Sequence, residues 1–285
     1  MVKWYVFAAR VRAYARAVQG IVECVKIVVT QLFTILNRQE TKNNRVMLTL
    51  IFSIYTLVIL TLFTALSFVA LIVCYPFDKR RRVVHELSRW LCFSWWYVPF
   101  TWRRRIEGLE NVDKKKPYVI VINHNSMVDI ISLYFVRLNF RWVSKKEVFR
   151  IPFIGQMLWM HGDIAIQRGR ATESMKKVIT DGKMWLNRGV SVAIFPEGTR
   201  SKNGEIQRFK GGAFALAKEA GVEILPVVMD GTTNVFKKGF FNWKHLLTVK
   251  VLPPIPAEKV VSTDTSEMAQ EVQAMMTEAL AEIRK

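Results

Sequence analysis

The 285-residue sequence contains only three cysteines, Cys24, Cys74 and Cys92, and they lie far apart. An odd, scattered set excludes a disulfide framework and fits a reducing cytosol or a lipid bilayer. Histidines are scarce too, and the four that are present lack the spacing of metal ligands. Internal repeats and low-complexity tracts are also missing. The sequence therefore predicts neither a disulfide nor a metal site.

Acidic residues are few: 23 Asp and Glu stand against 42 Lys and Arg, which gives a formal net charge of +19. A chain this basic attracts either nucleic acid or an anionic membrane surface. Aromatic residues make up 12% of the chain and the mean hydropathy is +0.15, which is too apolar for a typical soluble nucleic-acid binder. We therefore expect anionic membrane lipids, and no nucleic acid, among the partners.

Charged residues are absent from Val46 to Tyr75. A helix that crosses a bilayer needs about 20 apolar residues, so this longer run predicts a membrane-embedded helix. Basic residues flank both ends, at Arg38–Arg45 and at Lys79–Arg82, so the positive-inside rule gives no orientation. A single span, a re-entrant hairpin, and pairing with the weakly apolar residues 20–37 all fit the pattern.

The segments on either side of this run contain both basic and apolar residues. Residues 1–45 mix cations with apolar residues, which indicates one or two amphipathic helices at a membrane surface rather than a signal peptide. Residues 83–102 crowd tryptophans and a tyrosine in front of Arg103–Arg105. That crowding fits either the lipid headgroup region or an aromatic core beneath the next domain. The chain thus divides into a surface segment (1–45), membrane-embedded and interfacial helices (46–104) and a folded domain (105–285).

From Ile106 onward, short apolar runs alternate with segments of helical periodicity. Strands are predicted at 118–122, 140–144, 163–167, 190–195, 223–229 and 246–252, and helices at 127–138, 147–160, 171–187, 212–220 and 263–284. This alternation predicts an α/β fold with a mostly parallel or mixed sheet flanked by helices, preceded by an N-terminal membrane-embedded helical region.

The first buried strand ends in a polar turn. Tyr118–Ile122 is followed by Asn123-His124-Asn125-Ser126, and Asp129 then lies on the first turn of the next helix. In that arrangement the carboxylate of Asp129 can accept the Nδ1 proton of His124 and leave Nε2 as a general base. Taken alone, the pair fits a helix cap beside a chance histidine better than it fits a catalytic dyad.

A second buried strand leads into Phe195-Pro-Glu-Gly-Thr-Arg-Ser201. Gly198 allows the backbone to approach a ligand closely, and the planar guanidinium of Arg200 can bind a phosphate through two hydrogen bonds. Both turns follow the carboxyl ends of strands, where open α/β sheets place their sites. We therefore expect the two turns to line one crevice.

Both turns resemble motifs of the glycerolipid acyltransferase family. Asn123-His124 through Asp129 resembles its N-H-x-x-x-x-D motif, and Phe195 to Ser201 resembles its F-P-E-G-T-R-S motif without a mismatch. Weaker blocks resemble the family in the same order, at Val143–Glu147, at Gly162–Arg168 (with Ala165 where an aromatic is common) and at Leu225–Val227. The resemblance covers about residues 105–255, and its nearest subgroup is the 1-acylglycerol-3-phosphate acyltransferases.

The resemblance implies a role for each matched residue. His124 would be the general base and Asp129 the carboxylate that orients it. The glycerol phosphate end of the substrate would be bound by Glu197, Gly198, Thr199 and Arg200, with Arg200 as the direct phosphate ligand. Arg168 and Lys145 would be further phosphate ligands, and Lys210 is an additional candidate cation.

The resemblance also implies the reaction. A fatty acyl group would pass from acyl-CoA or acyl carrier protein to the sn-2 hydroxyl of lysophosphatidic acid, giving phosphatidic acid without a cofactor. The catalytic domain, residues 105–285, would face the cytoplasm at a bacterial inner membrane. Alternatives are another lysophospholipid or glycerol 3-phosphate as acceptor, or a membrane lipid-binding protein without catalysis.

Overall fold

The computed structural model describes residues 42–97, 102–167, 169, 171–237, 240–242 and 245–285. The amphipathic helices predicted within residues 1–45 lie outside the described residues, apart from the last four positions of that segment. The α-helices are α1 Lys42–Cys74, α2 Arg82–Tyr97, α3 Val128–Ser132, α4 Ile154–His161, α5 Ala171–Asn187, α6 Gly212–Ala220, α7 Ala257–Ser262 and α8 Thr265–Ile283. The strands are β1 Trp102–Glu107, β2 Val119–Ile122, β3 Phe140–Lys145, β4 Ile164–Ile166, β5 Ser191–Ile194, β6 Ile224–Asp230, β7 Phe236–Lys237, β8 Phe240–Phe241 and β9 His245–Val251.

A seven-stranded mixed sheet forms the centre of the fold, in the order β1-β9-β6-β2-β5-β3-β4. Neighbouring strands are parallel except β6 and β9, which are antiparallel. Strands β2 and β5 are buried at every position, as expected for central parallel strands covered by helices on both faces. The predicted fold class, a mostly parallel or mixed α/β sheet flanked by helices, is confirmed.

The ends of two helices follow from local chemistry. Helix α8 begins after Asp264, whose carboxylate accepts hydrogen bonds from the main-chain N–H groups of Ser266 and Glu267. Helix α6 ends at Gly221, which has φ 63° and so takes up the left-handed conformation that closes a helix. Both signals are visible in the sequence, and both helices lie where the sequence predicts them.

Several elements differ from the prediction. The helix predicted over 127–138 consists of α3 followed by a 3-10 helix, Leu133–Val136, and β7, β8 and α7 were not predicted. The strand β1 was not predicted, because its arginines made the segment resemble a membrane interface; it lies at the edge of the sheet, where charged residues are tolerated. The helix predicted over 147–160 is interrupted. A 3-10 helix, Lys146–Arg150, comes first, and α4 begins only at Ile154, two residues after Pro152. The ring of Pro152 cannot donate the hydrogen bond that a continuous helix would need there.

Helices cover both faces of the sheet. On one face α5, α6 and α8 bury side chains that include Trp185, Leu216 and Met268. On the other face α1, α2 and α3 share a core with β2 and β6, and this core contains Phe52, Trp96 and Leu133 among its buried residues. The division of the chain near residue 104 stays a prediction, although the helices before that point pack against the sheet after it.

Helix α1 is continuous and two-faced. One stripe, at Leu48, Phe52, Tyr55, Ile59 and Phe63, is buried against the rest of the protein at the three- and four-residue spacing of a helix face. The opposite face is apolar but exposed. Within the described part of the chain, this helix, over Val46–Cys74, is long and apolar enough to cross a membrane. An apolar face left open in this way predicts contact with lipid or with another apolar surface.

The aromatic segment before the sheet belongs mainly to the core. Trp95, Trp96 and Trp102 are buried, and their rings lie within about 5–6 Å of each other. Trp102 also contacts Phe52 of α1. For these three tryptophans the structure shows the aromatic core, one of the two alternatives that the sequence left open.

Candidate active site

The crevice lies at the carboxyl ends of β2 and β5, which are neighbours in the sheet. The chain leaves β2 towards β3, on the far side of β5, and leaves β5 towards β6, on the far side of β2. The two connections therefore depart in opposite directions and open a gap between them. Such a switch point is where open α/β sheets place their ligands, and His124 and the turn at 195–201 both border it.

His124 and Asp129 form a hydrogen-bonded pair at this point. Nδ1 of His124 lies 2.9 Å from Oδ2 of Asp129. The same carboxylate oxygen accepts main-chain hydrogen bonds from Asn125 and Ser126, both at 2.7 Å. Asp129 is fully buried, whereas the imidazole is partly exposed. In the tautomer in which Nδ1 donates to this carboxylate, Nε2 keeps its lone pair.

Aromatic rings fix the plane of the imidazole. The ring of His124 is stacked on Phe195, with centroids 3.9 Å apart and an angle of 18° between the planes. Phe195 is stacked in turn on Trp142, at 5.0 Å and 13°. Sequence reasoning included Phe195 in a motif but missed Trp142, since only the sheet order brings β3 beside the turn after β5.

Glu197 joins the two turns through the main chain. Its Oε1 accepts from the N–H of His124 at 2.7 Å, and its Oε2 accepts from the N–H of Gln207 at 3.1 Å. The N–H of Ser201 also donates to the carbonyl of His124, at 2.7 Å. Burial raises the pKa of Glu197 to about 7, an effect that exceeds the opposing influence of the two N–H donors. The carboxylate thus holds the backbone of His124 in place, and its predicted contact with substrate stays a prediction.

The tip of the second turn faces solvent. Gly198 has φ 71°, in the left-handed region that favours glycine, and a Cβ added there would lie 2.6 Å from the flexible end of Lys210, at Nζ. Thr199 and Arg200 are exposed beside it. Of the predicted phosphate ligands, Arg200 lies at the tip of this turn, and Lys145 is the partly buried last residue of β3. Arg168 lies outside the described residues.

Asn123 has a structural task that the sequence did not reveal. Its side chain accepts from the N–H of Met229 at 2.8 Å and donates to the carbonyl of the same residue at 2.9 Å. These two bonds continue the pairing of β2 with β6 beyond the end of the strand. The position of His124, one residue later, is fixed by this extension.

An apolar cavity of about 310 Å³ opens beside the crevice. Its walls come from α1, α2, α3, α4 and β3, and they include Ile59, Leu60, Ile131 and Met157. Trp142 contributes to both the cavity wall and the ring stack under His124. A cavity with these walls suits a hydrocarbon chain. Among the described residues, no group of His, Cys, Asp and Glu side chains could hold a metal ion.

Fold and site together are those of an α/β protein whose crevice combines a His–Asp pair, an exposed arginine and an apolar cavity. The acyltransferase family model matches residues 103–230. The chain is 32% identical over 212 residues to a 1-acyl-sn-glycerol-3-phosphate acyltransferase of Pseudomonas aeruginosa, covering 73% of this chain and 80% of that protein. The chain belongs to this acyltransferase family.

Other relatives match over a smaller part of their length. A protein of Chlamydomonas reinhardtii with the same enzyme name is 37% identical over 179 residues, which is 60% of this chain and 53% of the relative. The chain thus spans about half the length of the first curated relatives that it matches. The crystal structure of the 1-acyl-sn-glycerophosphate acyltransferase PlsC from Thermotoga maritima has the same fold, with a TM-score of 0.68 and 23% identity over 84% of this chain and 98% of that one.

Proposed function

We propose that this protein transfers a fatty acyl group from an acyl thioester to the sn-2 hydroxyl of 1-acylglycerol 3-phosphate, giving phosphatidic acid. The observation that carries the proposal is the 2.9 Å contact between Nδ1 of His124 and Oδ2 of Asp129 at the mouth of the crevice. The names of the relatives, including the Pseudomonas protein, support the choice of acceptor.

In the proposed reaction the acceptor supplies its own nucleophile. Nε2 of His124 removes the hydroxyl proton as the oxygen attacks the thioester carbonyl carbon, and a tetrahedral oxyanion forms. Main-chain N–H groups at the crevice would stabilise that charge. The carbon–sulfur bond then breaks, and the thiolate takes the proton from the imidazolium. The buried carboxylate of Asp129 stabilises the transient positive charge on the ring.

The two ends of the acceptor would be held by different chemistry. Its phosphate would bind Arg200, whose guanidinium is exposed beside the crevice, with Lys145 and Arg168 as further ligands. The 310 Å³ cavity would hold an acyl chain, since nearly all of its wall is apolar. The acyl donor would be either acyl-CoA or acyl carrier protein, and neither step requires a cofactor.

Membrane association accounts for the exposed face of α1. Ile54, Leu57 and Val58 lie on that face with more than half of their surface exposed. Burying them in lipid removes apolar area from water at about 25 cal/mol per Å². We propose that this face holds the enzyme at a bacterial inner membrane, with the crevice on the cytoplasmic side, where its lipid substrate resides.

The test is an assay of purified protein with a panel of lysophospholipids, glycerol 3-phosphate and labelled acyl thioesters. Wild type should acylate lysophosphatidic acid, and His124→Ala should not, while both should remain bound to membranes. Turnover with a different acceptor alone would overturn the assignment of lysophosphatidic acid as the acceptor. Equal turnover by wild type and His124→Ala would overturn the role of His124 as the base. Lipid binding without any turnover would indicate a binding protein instead.

A further inference from the structure

A second concavity, with a polar lining, lies at the amino ends of the strands, opposite the crevice at their carboxyl ends. It has a volume of about 260 Å³ and lies where the chain enters β2, β3 and β5. Four cations line it: Arg82, Lys114, Lys116 and Arg137. We call these residues and the space between them the cationic pocket. Nothing in the proposed acyl transfer uses it.

Most of the positive charge in the cationic pocket is uncompensated. Lys116 binds Glu223 at 2.7 Å, and the one carboxylate in the lining, Glu86, is bonded to Arg89. The other three cations, Arg82, Lys114 and Arg137, are exposed and have no ion pair within the described ranges of the chain. Like charges held round one concavity repel each other, and an anion between them would relieve that repulsion.

Neutral groups add to the preference for an anion. Helix α2, which has 16 residues, begins at Arg82 beside the pocket. The carboxylate of Asp78 accepts from the N–H of Val83 at 2.8 Å, so only the remaining N–H groups of this first turn can favour a further anion. Ser191 accepts a hydrogen bond from the N–H of Tyr118 at 3.0 Å, which leaves its own hydroxyl proton for another acceptor. A phosphate group, with several acceptor oxygens and a negative charge, matches both.

The cationic pocket is also placed next to the lipid-facing side of α1. That face continues through Ile72 to the exposed rings of Tyr75 and Phe77, and the basic run Lys79–Arg82 follows at once. The carbonyl of Arg80 accepts hydrogen bonds from the side chains of Asn139 and Arg141, at the start of β3. Exposed aromatic rings followed by cations are typical of the headgroup layer, so the pocket lies at headgroup depth when α1 contacts lipid.

We propose that the cationic pocket binds the phosphate of an anionic phospholipid in the membrane, as a second lipid site separate from the crevice. Arg82, Lys114 and Arg137 contact the headgroup, and the acyl chains lie along the exposed face of α1. This site adds a second contact with the membrane beside the exposed face of α1. It does not depend on which acyl acceptor the crevice takes.

Arg137 suits a mutational test because its backbone conformation favours glycine. It has φ 59° and ψ 30°, in the left-handed region that glycine adopts without steric cost. Arg137→Gly therefore removes a cation and relieves the backbone at the same position, so its melting temperature should equal or exceed that of wild type. Lys114→Gln removes a second cation from an exposed side chain. The matched control is Lys176→Gln with Lys177→Gln, two exposed lysines on α5.

The experiment measures how tightly the full chain, in neutral detergent micelles, binds fluorescent phosphatidylglycerol. Binding of phosphatidylcholine and of inorganic phosphate is measured separately for comparison. A cation at an anionic lipid surface contributes about 1 kcal/mol, or about fivefold in affinity. Arg137→Gly should thus weaken phosphatidylglycerol binding about fivefold, and the double variant with Lys114→Gln about 25-fold. The control should match wild type.

Three results would overturn the proposal. Equal affinity of wild type for phosphatidylglycerol and phosphatidylcholine would exclude a headgroup site. Binding of inorganic phosphate at these cations without a preference for phosphatidylglycerol would exclude the lipid as its source. An equal loss in the α5 control would show that the effect is one of total charge. Acyltransferase assays on the same variants separate these outcomes from a failure of the crevice chemistry.

Discussion

The main-chain N–H of His124 donates a hydrogen bond to Oε1 of Glu197, 73 positions later in the chain, at 2.7 Å. The contact joins the two turns that border the crevice, and the second oxygen of Glu197 is taken by the N–H of Gln207. A small shift of the His124 backbone would move the imidazole relative to any bound hydroxyl. Glu197 therefore positions the proposed base even without touching a substrate.

The first prediction concerns the pH dependence of stability. Burial raises the pKa of Glu197 from its ordinary 4.5 to about 7, so the folded state binds this proton more tightly than the unfolded state between those values. The resulting stabilisation is fully present below pH 4.5 and is lost as the pH rises through 7. Thermal melts of wild type and Glu197→Gln across this range should show a smaller decline in the variant. Parallel curves would contradict the raised pKa.

The second prediction concerns the carboxylate behind the proposed base. Asp129→Asn replaces an oxygen that accepts from Nδ1 of His124 with an amide that can donate, so the imidazole loses its fixed tautomer. We expect kcat to fall by about 10²- to 10⁴-fold, the usual contribution of a general base. Circular dichroism and a melting curve serve as the folding control. Unchanged kcat in a folded variant would remove Asp129 from the mechanism.

The third prediction separates phosphate recognition from chemistry. Arg200→Ala should raise KM for the phosphate-bearing acceptor by about tenfold or more, because a hydrogen bond to a charged group contributes about 1.5–3 kcal/mol. Lys202, also exposed and two residues along, provides the matched control, Lys202→Ala. KM for the thioester should not change in either variant. An effect of Arg200→Ala confined to the thioester would assign Arg200 to the donor.

The fourth prediction tests the apolar cavity. Leu60 on α1 lines it, whereas Leu57, on the same helix, is 55% exposed on the other face. Leu60→Trp should fill part of the 310 Å³ and shift the preferred acyl chain towards shorter lengths. Leu57→Trp should leave that preference as it is in wild type. Competition between thioesters and acceptors of graded chain length measures the shift, and identical profiles for the two variants would exclude the cavity as the chain site.

The fifth prediction concerns membrane association. Replacing Ile54, Leu57 and Val58 with Gln alters only exposed side chains, so the protein should move from the membrane to the soluble fraction with its melting temperature retained. Deletion of residues 1–82 is a poorer experiment. It would also remove Phe52 and Phe63, which are fully buried, and so expose the core beneath. Retention of the triple variant on membranes would locate the anchor elsewhere.

Much of the fold was predictable because it is encoded locally. Runs such as Tyr118–Ile122 are apolar and β-branched, so they form buried strands whatever their partners are. The periodicity of 171–187 and 212–220 gave helices with the observed bounds. The contact of His124 with Asp129 is local as well, because a five-residue separation across a strand-to-helix turn brings the two side chains together.

Other features depended on distant parts of the chain. The edge strand β1 forms because β9 is available as its partner. The sequence predicts β9 as a strand but does not reveal that β9 runs antiparallel to β6. The stack of His124, Phe195 and Trp142 draws on β3 and on the turns that follow β2 and β5. The composition of α1 predicts a membrane helix, yet one face is packed against α2, α4 and Trp102 of β1.

The sequence by itself therefore determined six strands of the main sheet, most of the longer helices and the candidate site residues, since these follow from apolar periodicity and from short motifs. Only the tertiary structure decided that Glu197 holds the backbone of His124, that a cavity opens beside Trp142 and that three cations meet at the amino ends of the strands. These arrangements depend on which surfaces the whole chain buries against each other, and that outcome minimises free energy over all contacts rather than within any one segment.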